Sequence, residues 1–143
     1  MGYPIRKPLQ FTYEYDFSVS GGAQGNINML IKDGVNVLDS TTIITGFTMY
    51  VETTLASGGS ATITLGNSFD RDGYSADFFA AAAAGTVIRA GEAAGLLLWD
   101  DTNDHELMHK PASAAAAVPS ITIGTADLTA GKFKVVFDAI RMS

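Results

Sequence analysis

The sequence contains no cysteine and little charge, and these two shortages exclude several kinds of protein. Charged side chains make up 17% of the 143 residues, whereas globular proteins average about 25%. Without cysteine there is no disulfide framework, no thiolate zinc site and no cysteine nucleophile. Lys and Arg together number 9 against 15 Asp and Glu, which leaves a net charge of -6. Because nucleic-acid binding needs clustered cations, we expect no direct contact with nucleic acid.

Long apolar runs are also missing. No stretch approaches the roughly 18 apolar residues that a membrane span requires, and the N-terminus has no signal-peptide segment. We therefore expect neither a membrane span nor a cleaved leader. Hydrophobic residues nevertheless reach 47% of the chain, which is ample for one core, and the length leaves room for a single domain. Much of the apolar excess is Ala and Gly, which give smooth faces suited to contact with other chains, so oligomerisation is predicted.

Residues 1–10 differ from the rest of the chain and predict an extended N-terminal arm. Pro4 and Pro8 disfavour a helix, and Arg6 and Lys7 have no acid near them. The arm also holds large apolar side chains that are costly to leave in water. A frayed terminus is the alternative. We predict that the arm docks on a partner through Tyr3, Pro4, Ile5, Arg6, Lys7 and Pro8.

Residues 11–143 are dominated by strand patterns. In residues 11–19, FTYEYDFSV, apolar and polar side chains alternate, as on a half-buried strand. Residues 41–54 and 132–142 have similar patterns, and Gly46 is expected to mark a bulge. Shorter strand patterns separated by turn residues occur in INMLIK, VNVL, ATITLG, TVIRA, LLLW and SITIG. This spacing predicts an all-β, single-domain, jelly-roll-like sandwich over residues 11–143.

One short helix is predicted. Ser75 can cap a helix over residues 75–84, and Gly85 can end it. Phe78 and Phe79, together with the alanines that follow them, are the predicted self-association residues. The acidic and polar loop over residues 100–118 is the least regular part of the chain.

One segment looks enzymatic. His105-Glu106-Leu107-Met108-His109 matches H-E-x-x-H, in which a helix places both imidazoles on a zinc ion while the glutamate activates water. Downstream, GTADLTAG is similar to the segment that supplies an aspartate ligand in the aspzincin metallopeptidases. The resemblance would make Asp127 the third ligand.

Three observations weigh against zinc. Pro111 and the polar residues before His105 leave about two helical turns for the motif. Ala130 stands where the aspzincin pattern has a tyrosine, and those enzymes are rich in helix, unlike this chain. We therefore interpret HELMH as loop and GTAD as a turn, and predict no catalytic residue, metal or cofactor.

The basic arm, the Thr-, Val- and Ile-rich strands, the TITLG…FDRDGY turn and the closing FKVVFDAIRM strand resemble capsid decoration, or cement, proteins of tailed bacteriophages. The resemblance implies a compact β fold that assembles as a trimer or dimer. It also implies a location on the outer capsid surface, with the major capsid protein as partner and a role in bridging its subunits. The trimer is favoured here.

Two other functions stay open at this point. The same β domain could serve as a head-fibre base or as a tail adaptor or knob, because a fold alone does not fix its partner. The zinc peptidase through HELMH is the more distant alternative.

Overall fold

The computed structural model of the chain describes residues 7–33, 42–66, 75–79, 82–89 and 118–141. Within these ranges the chain forms nine strands and one short helix. In chain order they are β1 (Lys7–Asp16), α1 (Phe17–Ser20), β2 (Gly25–Asn28), β3 (Leu30–Asp33), β4 (Thr42–Ser57), β5 (Thr62–Gly66), β6 (Ser75–Phe79), β7 (Val87–Arg89), β8 (Ser120–Gly124) and β9 (Leu128–Arg141). The prediction of an all-β single domain is confirmed.

The strands form two sheets. The larger sheet has the order β3-β1-β9-β4-β7 and the smaller sheet the order β2-β8-β5-β6, and every pair of neighbours is antiparallel. Along the chain β1 leads to β2, β4 leads to β5 and β8 leads to β9. The order β1, β9, β4 in the larger sheet therefore matches the order β2, β8, β5 in the smaller sheet. Three chain segments therefore pass side by side from one sheet to the other, at what we call the crossover end. The jelly-roll part of the prediction stays a prediction.

The core lies between the sheets and follows from alternation along the long strands. Inward positions on β1, β4 and β9 are apolar and buried, and the smaller sheet supplies branched aliphatic side chains opposite them. Tyr13 and Phe137 meet edge to face, with ring centroids 5.8 Å apart. Burying each such side chain stabilises the fold by about 1.5–3 kcal/mol. The largest fully buried side chains are Tyr13, Tyr15, Met49, Leu55, Ile63, Leu65, Ile121, Phe133 and Phe137.

At the crossover end the chain turns from β1 into α1. The Asp16 carboxylate accepts a hydrogen bond from the Ser18 amide at 2.9 Å and caps the helix. The predicted strand over residues 11–19 therefore ends at Asp16. The prediction was wrong for its last three residues because the cap favours a turn, and the chain has to leave the larger sheet here to reach the smaller one.

The predicted helix over residues 75–84 is wrong in its first half. Residues 75–79 form β6, in which Phe78 is the register partner of Ile63 and Phe79 of Thr62. Pairing with a core strand outweighs the weak local signal of a serine cap and an alanine run, because propensity is easily overridden by tertiary packing. Ala84 and Gly85 form a turn.

The predicted single strand INMLIK is wrong in one respect, because Met29 divides it into β2 of the smaller sheet and β3 of the larger sheet. The remaining strand predictions are confirmed where the structure describes them. β4 matches the predicted long strand, and its register with β9 shifts between Ile44 and Gly46, as expected of a bulge. The predicted strands at residues 35–38 and 96–99 lie outside the described residues, as do residues 100–117. The larger sheet begins at Lys7, so it includes the last four residues of the predicted arm.

Gly22 is buried where two crossing segments touch. Its carbonyl accepts a hydrogen bond from the Leu128 amide at 2.8 Å. A methyl group on Gly22 would overlap the Leu128 carbonyl, whereas Gly58, in another connection at the same end, has nothing within 4 Å of its missing side chain.

Gly22→Ala is expected to lower the free energy of unfolding by about 1–3 kcal/mol, because the Leu128 backbone has to move to admit the methyl group. Gly58→Ala is the matched control and should stay within about 0.5 kcal/mol of the wild type. Urea unfolding followed by circular dichroism measures both. Equal stabilities of the two variants would contradict the packing described here.

Candidate interaction surface

The outer face of the larger sheet, turned away from the core, is mainly polar. It is formed by the positions that alternate with the buried ones on β1, β9 and β4. Most of these side chains are hydroxyls, carboxylates or amines. They include Thr12, Glu14, Asp16, Thr48, Tyr50, Glu52, Lys132, Lys134 and Val136.

Five charged residues form a continuous ionic row across this face. On one side, the Lys32 ammonium lies 2.9 Å from Glu14 Oε2, and the Lys132 ammonium lies 3.4 Å from Glu14 Oε1. Lys132 also lies 3.4 Å from Glu52 Oε2, and Lys134 lies 2.8 Å from Glu52 Oε1. The row follows the strand order β3, β1, β9, β4. It therefore ties four neighbouring strands together.

Glu14 is the buried centre of this row. Its side chain is 4% exposed, against 35–45% for the three lysines. A carboxylate so far removed from water needs charged or hydrogen-bonding partners to offset the lost solvation. Lys32 and Lys132 supply them, while their own amines keep contact with solvent.

The contacts also shift the proton affinities of two members. Hydrogen bonds from Lys134 and then Lys132 lower the pKa of Glu52. Hydrogen bonds to Glu14 and Glu52 raise the pKa of Lys132. Both shifts favour the charged forms.

An apolar spot borders the ionic row. Tyr50 on β4 and Val87 on β7 are direct register partners and are 46% and 47% exposed. On its other side Tyr50 is the register partner of Lys134. An exposed aromatic residue beside an aliphatic one, with charges around them, is a composition found in protein contacts. Val19 on α1 is a second exposed apolar residue, at the crossover end.

The predicted docking residues of the arm are divided by the limit of the described chain. Lys7 and Pro8 begin β1, as register partners of Arg141 and Ile140 on β9. Tyr3, Pro4, Ile5 and Arg6 lie outside the described residues.

The predicted self-association residues, Phe78 and Phe79, both lie on β6. Among the strands that the structure describes, β6 ends the smaller sheet and pairs on one side with β5. An end strand has backbone amides and carbonyls on its other side that can pair with another chain. Docking by the arm and self-association through β6 both stay predictions.

The zinc interpretation can be examined only at its third ligand. His105, Glu106 and His109 lie outside the described residues. Asp127 lies in the turn between β8 and β9, where its carboxylate accepts a hydrogen bond from the Gln24 amide at 3.0 Å. Its carbonyl accepts one from the Ser57 hydroxyl at 2.8 Å. Asp127 therefore links three connections of the crossover end, and GTAD forms the turn that we predicted.

No group of three or more His, Asp or Glu residues in the described ranges is placed to hold a metal ion. Within the same ranges no helix is long and apolar enough to cross a membrane.

Sequence reasoning missed the ionic row. Its signal was present, since Glu14, Lys132 and Lys134 occupy the polar positions of alternating patterns. What the sequence does not show is that β9 lies between β1 and β4, and without that order the charges have no partners.

Glu14→Gln is expected to lower the free energy of unfolding by about 1–3 kcal/mol, because two ammonium groups lose a buried carboxylate. Asp138→Asn is the control on the same face, since the Asp138 carboxylate accepts a hydrogen bond from Gln10 at 3.0 Å and asparagine keeps that acceptor. Urea unfolding measures both. A Glu14→Gln variant as stable as Asp138→Asn would show that the row contributes little.

Alkaline pH is expected to destabilise the fold. Burial raises the pKa of Tyr15 to about 12, and the carboxylates beside Lys132 raise its pKa. Both groups keep their protons to higher pH in the folded chain than in the unfolded chain, so the free energy of unfolding should fall as the pH rises above about 10. Urea unfolding at a series of pH values tests this. Tyr15→Phe should make the fall shallower, and a flat profile in the wild type would contradict the assignment.

Comparisons with known proteins give one structural likeness. No protein-family model matches the sequence, and no curated protein matches it. The fold is similar to a chain of the cyanophage Pam1 capsid asymmetric unit, with a TM-score of 0.62 at 16% sequence identity. The likeness covers 99% of this chain and 89% of that chain, so the two are of similar length. At this identity it shows a shared fold.

Proposed function

We propose that this protein is a virion structural protein that decorates a bacteriophage capsid on its outer surface and stabilises it by bridging major capsid subunits. The observation that carries the proposal is the structural likeness to a chain of a cyanophage capsid over 99% of this chain. Because that chain is of similar length, the likeness extends over two whole chains and is not limited to one domain of a larger protein.

The surface chemistry supports a binding role without catalysis. A chain with 47% hydrophobic and 17% charged residues has little charge with which to cover its surface, and it exposes Tyr50 and Val87 side by side on the larger sheet. An assembly gains stability when an added protein buries such surface across the boundary between its subunits. Decoration of a shell uses this effect directly.

The N-terminal arm is the proposed bridge. Lys7 is held in β1 by its pairing with Arg141, so the residues before it start from a fixed point of the domain. Six extended residues span at most about 20 Å, which is enough to reach a neighbouring subunit. Tyr3 and Ile5 would bury apolar surface there, and Arg6 and Lys7 would meet carboxylates.

Contacts between copies of the chain are proposed at β6. Phe78 and Phe79 lie on this end strand, and a strand from a second copy can pair with its outer side. Closed assemblies suit a role at the symmetry axes of a shell. A trimer is the assembly that we favour, and a dimer is the other.

The test is binding to empty shells assembled from the major capsid protein of the virus that encodes this chain. The full-length protein should sediment with the shells in a fixed ratio to capsid subunits and should raise their melting temperature. A Tyr3→Ser, Ile5→Ser double variant should bind weakly, whereas Val19→Ser, which changes an apolar residue on α1, should bind as the wild type does. Light scattering on the unbound protein should give the mass of a trimer or dimer.

Failure to bind shells, with binding to purified tails or head fibres instead, would replace the decoration role by one of those roles. Equal binding by the double variant and the wild type would leave decoration standing but remove the arm as its bridge.

A further inference from the structure

The smaller sheet has an open edge at β2. This strand pairs with β8 on one side, and no described strand pairs with its other side. Gly25, Asn26 and Asn28 are exposed. The chain on both sides of β2, residues 17–24 and 29–33, is also described. Within the described part of the chain, the edge of β2 can therefore be reached by another molecule.

The hydrogen bonds of β2 show which of its backbone groups point away from β8. The Met29 amide, just after β2, donates a hydrogen bond to the Pro119 carbonyl at 3.0 Å. Along an antiparallel pair, residues that bond to the neighbouring strand alternate with residues that do not. Asn28 and Asn26 are the residues that alternate with Met29. Their amides and carbonyls therefore point to the open edge, and none of the described residues bonds to these groups.

The larger sheet extends beyond this edge. Because the strand orders of the two sheets match, β2 lies opposite β1, and β3 has no described strand opposite it. Ile31 of β3 is the register partner of the buried Tyr13, so its side chain is on the inner face. It packs against the core but is only half-buried. Among the described residues, one strand position beside β2 and opposite β3 is thus left open.

β2 also lacks the features that keep end strands from pairing with other chains. Such strands commonly have charged residues, prolines or bulges. The end strand β3 of the larger sheet has the exposed Lys32 and Asp33, and its register with β1 shifts between Thr12 and Tyr13. β2, with the sequence GNIN, has no charge and no proline, and its register with β8 is regular.

The open position suits one extended segment and not a second whole domain. If the end strand of another such domain paired with β2, the larger sheet of that domain would occupy the space of β3. A single extended segment meets no such obstacle. Its backbone would bond to Asn26 and Asn28, and alternate side chains would lie over Ile31.

We infer that the open edge of β2 and the inner face of β3 bind one extended segment of a capsid subunit, with an apolar residue at every second position. The capsid as the source of this segment rests on the proposed function. Its extended form and its alternation rest on the free backbone groups of Asn26 and Asn28 and on Ile31. Since β2 has no charge, affinity comes from main-chain hydrogen bonds and from the burial of Ile31.

Hydrogen exchange tests this site without a change to the chain. The full-length protein is mixed with one of two probes, empty shells of the major capsid protein or a peptide of alternating threonine and valine with a lysine at each end. Either probe should slow the exchange of the Asn26 and Asn28 amides by about tenfold or more, because the amides become hydrogen-bonded. The Ile27 amide, which points to β8, is the internal control and should exchange slowly with and without a probe.

A pair of variants at one position tests the same edge by affinity. Asn28→Pro removes an N–H group that points away from β8, and an end strand tolerates proline at such a position. Its binding to both probes should weaken by about tenfold, the effect of one lost hydrogen bond. Asn28→Thr keeps the N–H group and should bind as the wild type does. Urea unfolding compares the stabilities of the two variants.

The outcomes separate this inference from the proposed function. Slower exchange at Asn26 and Asn28 with both probes, and weaker binding by Asn28→Pro than by Asn28→Thr, support the site. Unchanged exchange in protein bound to shells overturns the site and leaves decoration standing. A wild type that ignores shells, but in which the peptide slows both amides, overturns decoration and supports the addition of a strand.

The arm of a second copy is the other occupant that the experiment can reveal. In that case both amides would exchange more slowly as the concentration of the protein alone is raised. The Tyr3→Ser, Ile5→Ser double variant would abolish this effect. That result would overturn the capsid segment as the occupant of the edge.

Discussion

The structure depends on the position of β9 between β1 and β4. This central strand gives its outward lysines to the ionic row and its inward aromatic side chains to the core, so both faces of the larger sheet are organised around it. Its connection to β8 carries the same arrangement into the smaller sheet. The strands of the two sheets therefore occur in matching order, and the core lies between the two sheets.

Because the strand orders of the two sheets match, the connections β1–β2, β4–β5 and β8–β9 lie close together at the crossover end. The close contact of Gly22 with Leu128 and the two hydrogen bonds of Asp127 are consequences of that crowding. Among the described residues, the crossover end is therefore held together by contacts between three connections of the chain.

The sequence predicted the fold class and most strands because alternation is a local signal, strong in FTYEYDF and in KFKVVFDA. It failed where local and distant effects disagree. A serine before an alanine run indicates a helix, yet residues 75–79 pair with β5, and nothing near them in the sequence shows that Ile63 and Thr62 will lie opposite. The ionic row was beyond sequence reasoning for the same reason. Glu14 and Lys132 become neighbours only through strand order.

The central place of β9 also sets the course of folding. β1 is synthesised well before β9, yet Tyr13 pairs with Val135 and Phe11 with Phe137. Closing loops of this length is slow, and topologies with such distant pairings fold slowly. During synthesis β1 and β4 must wait with apolar faces and unpaired edges until β9 arrives between them. The larger sheet can therefore form only after β9 has left the ribosome.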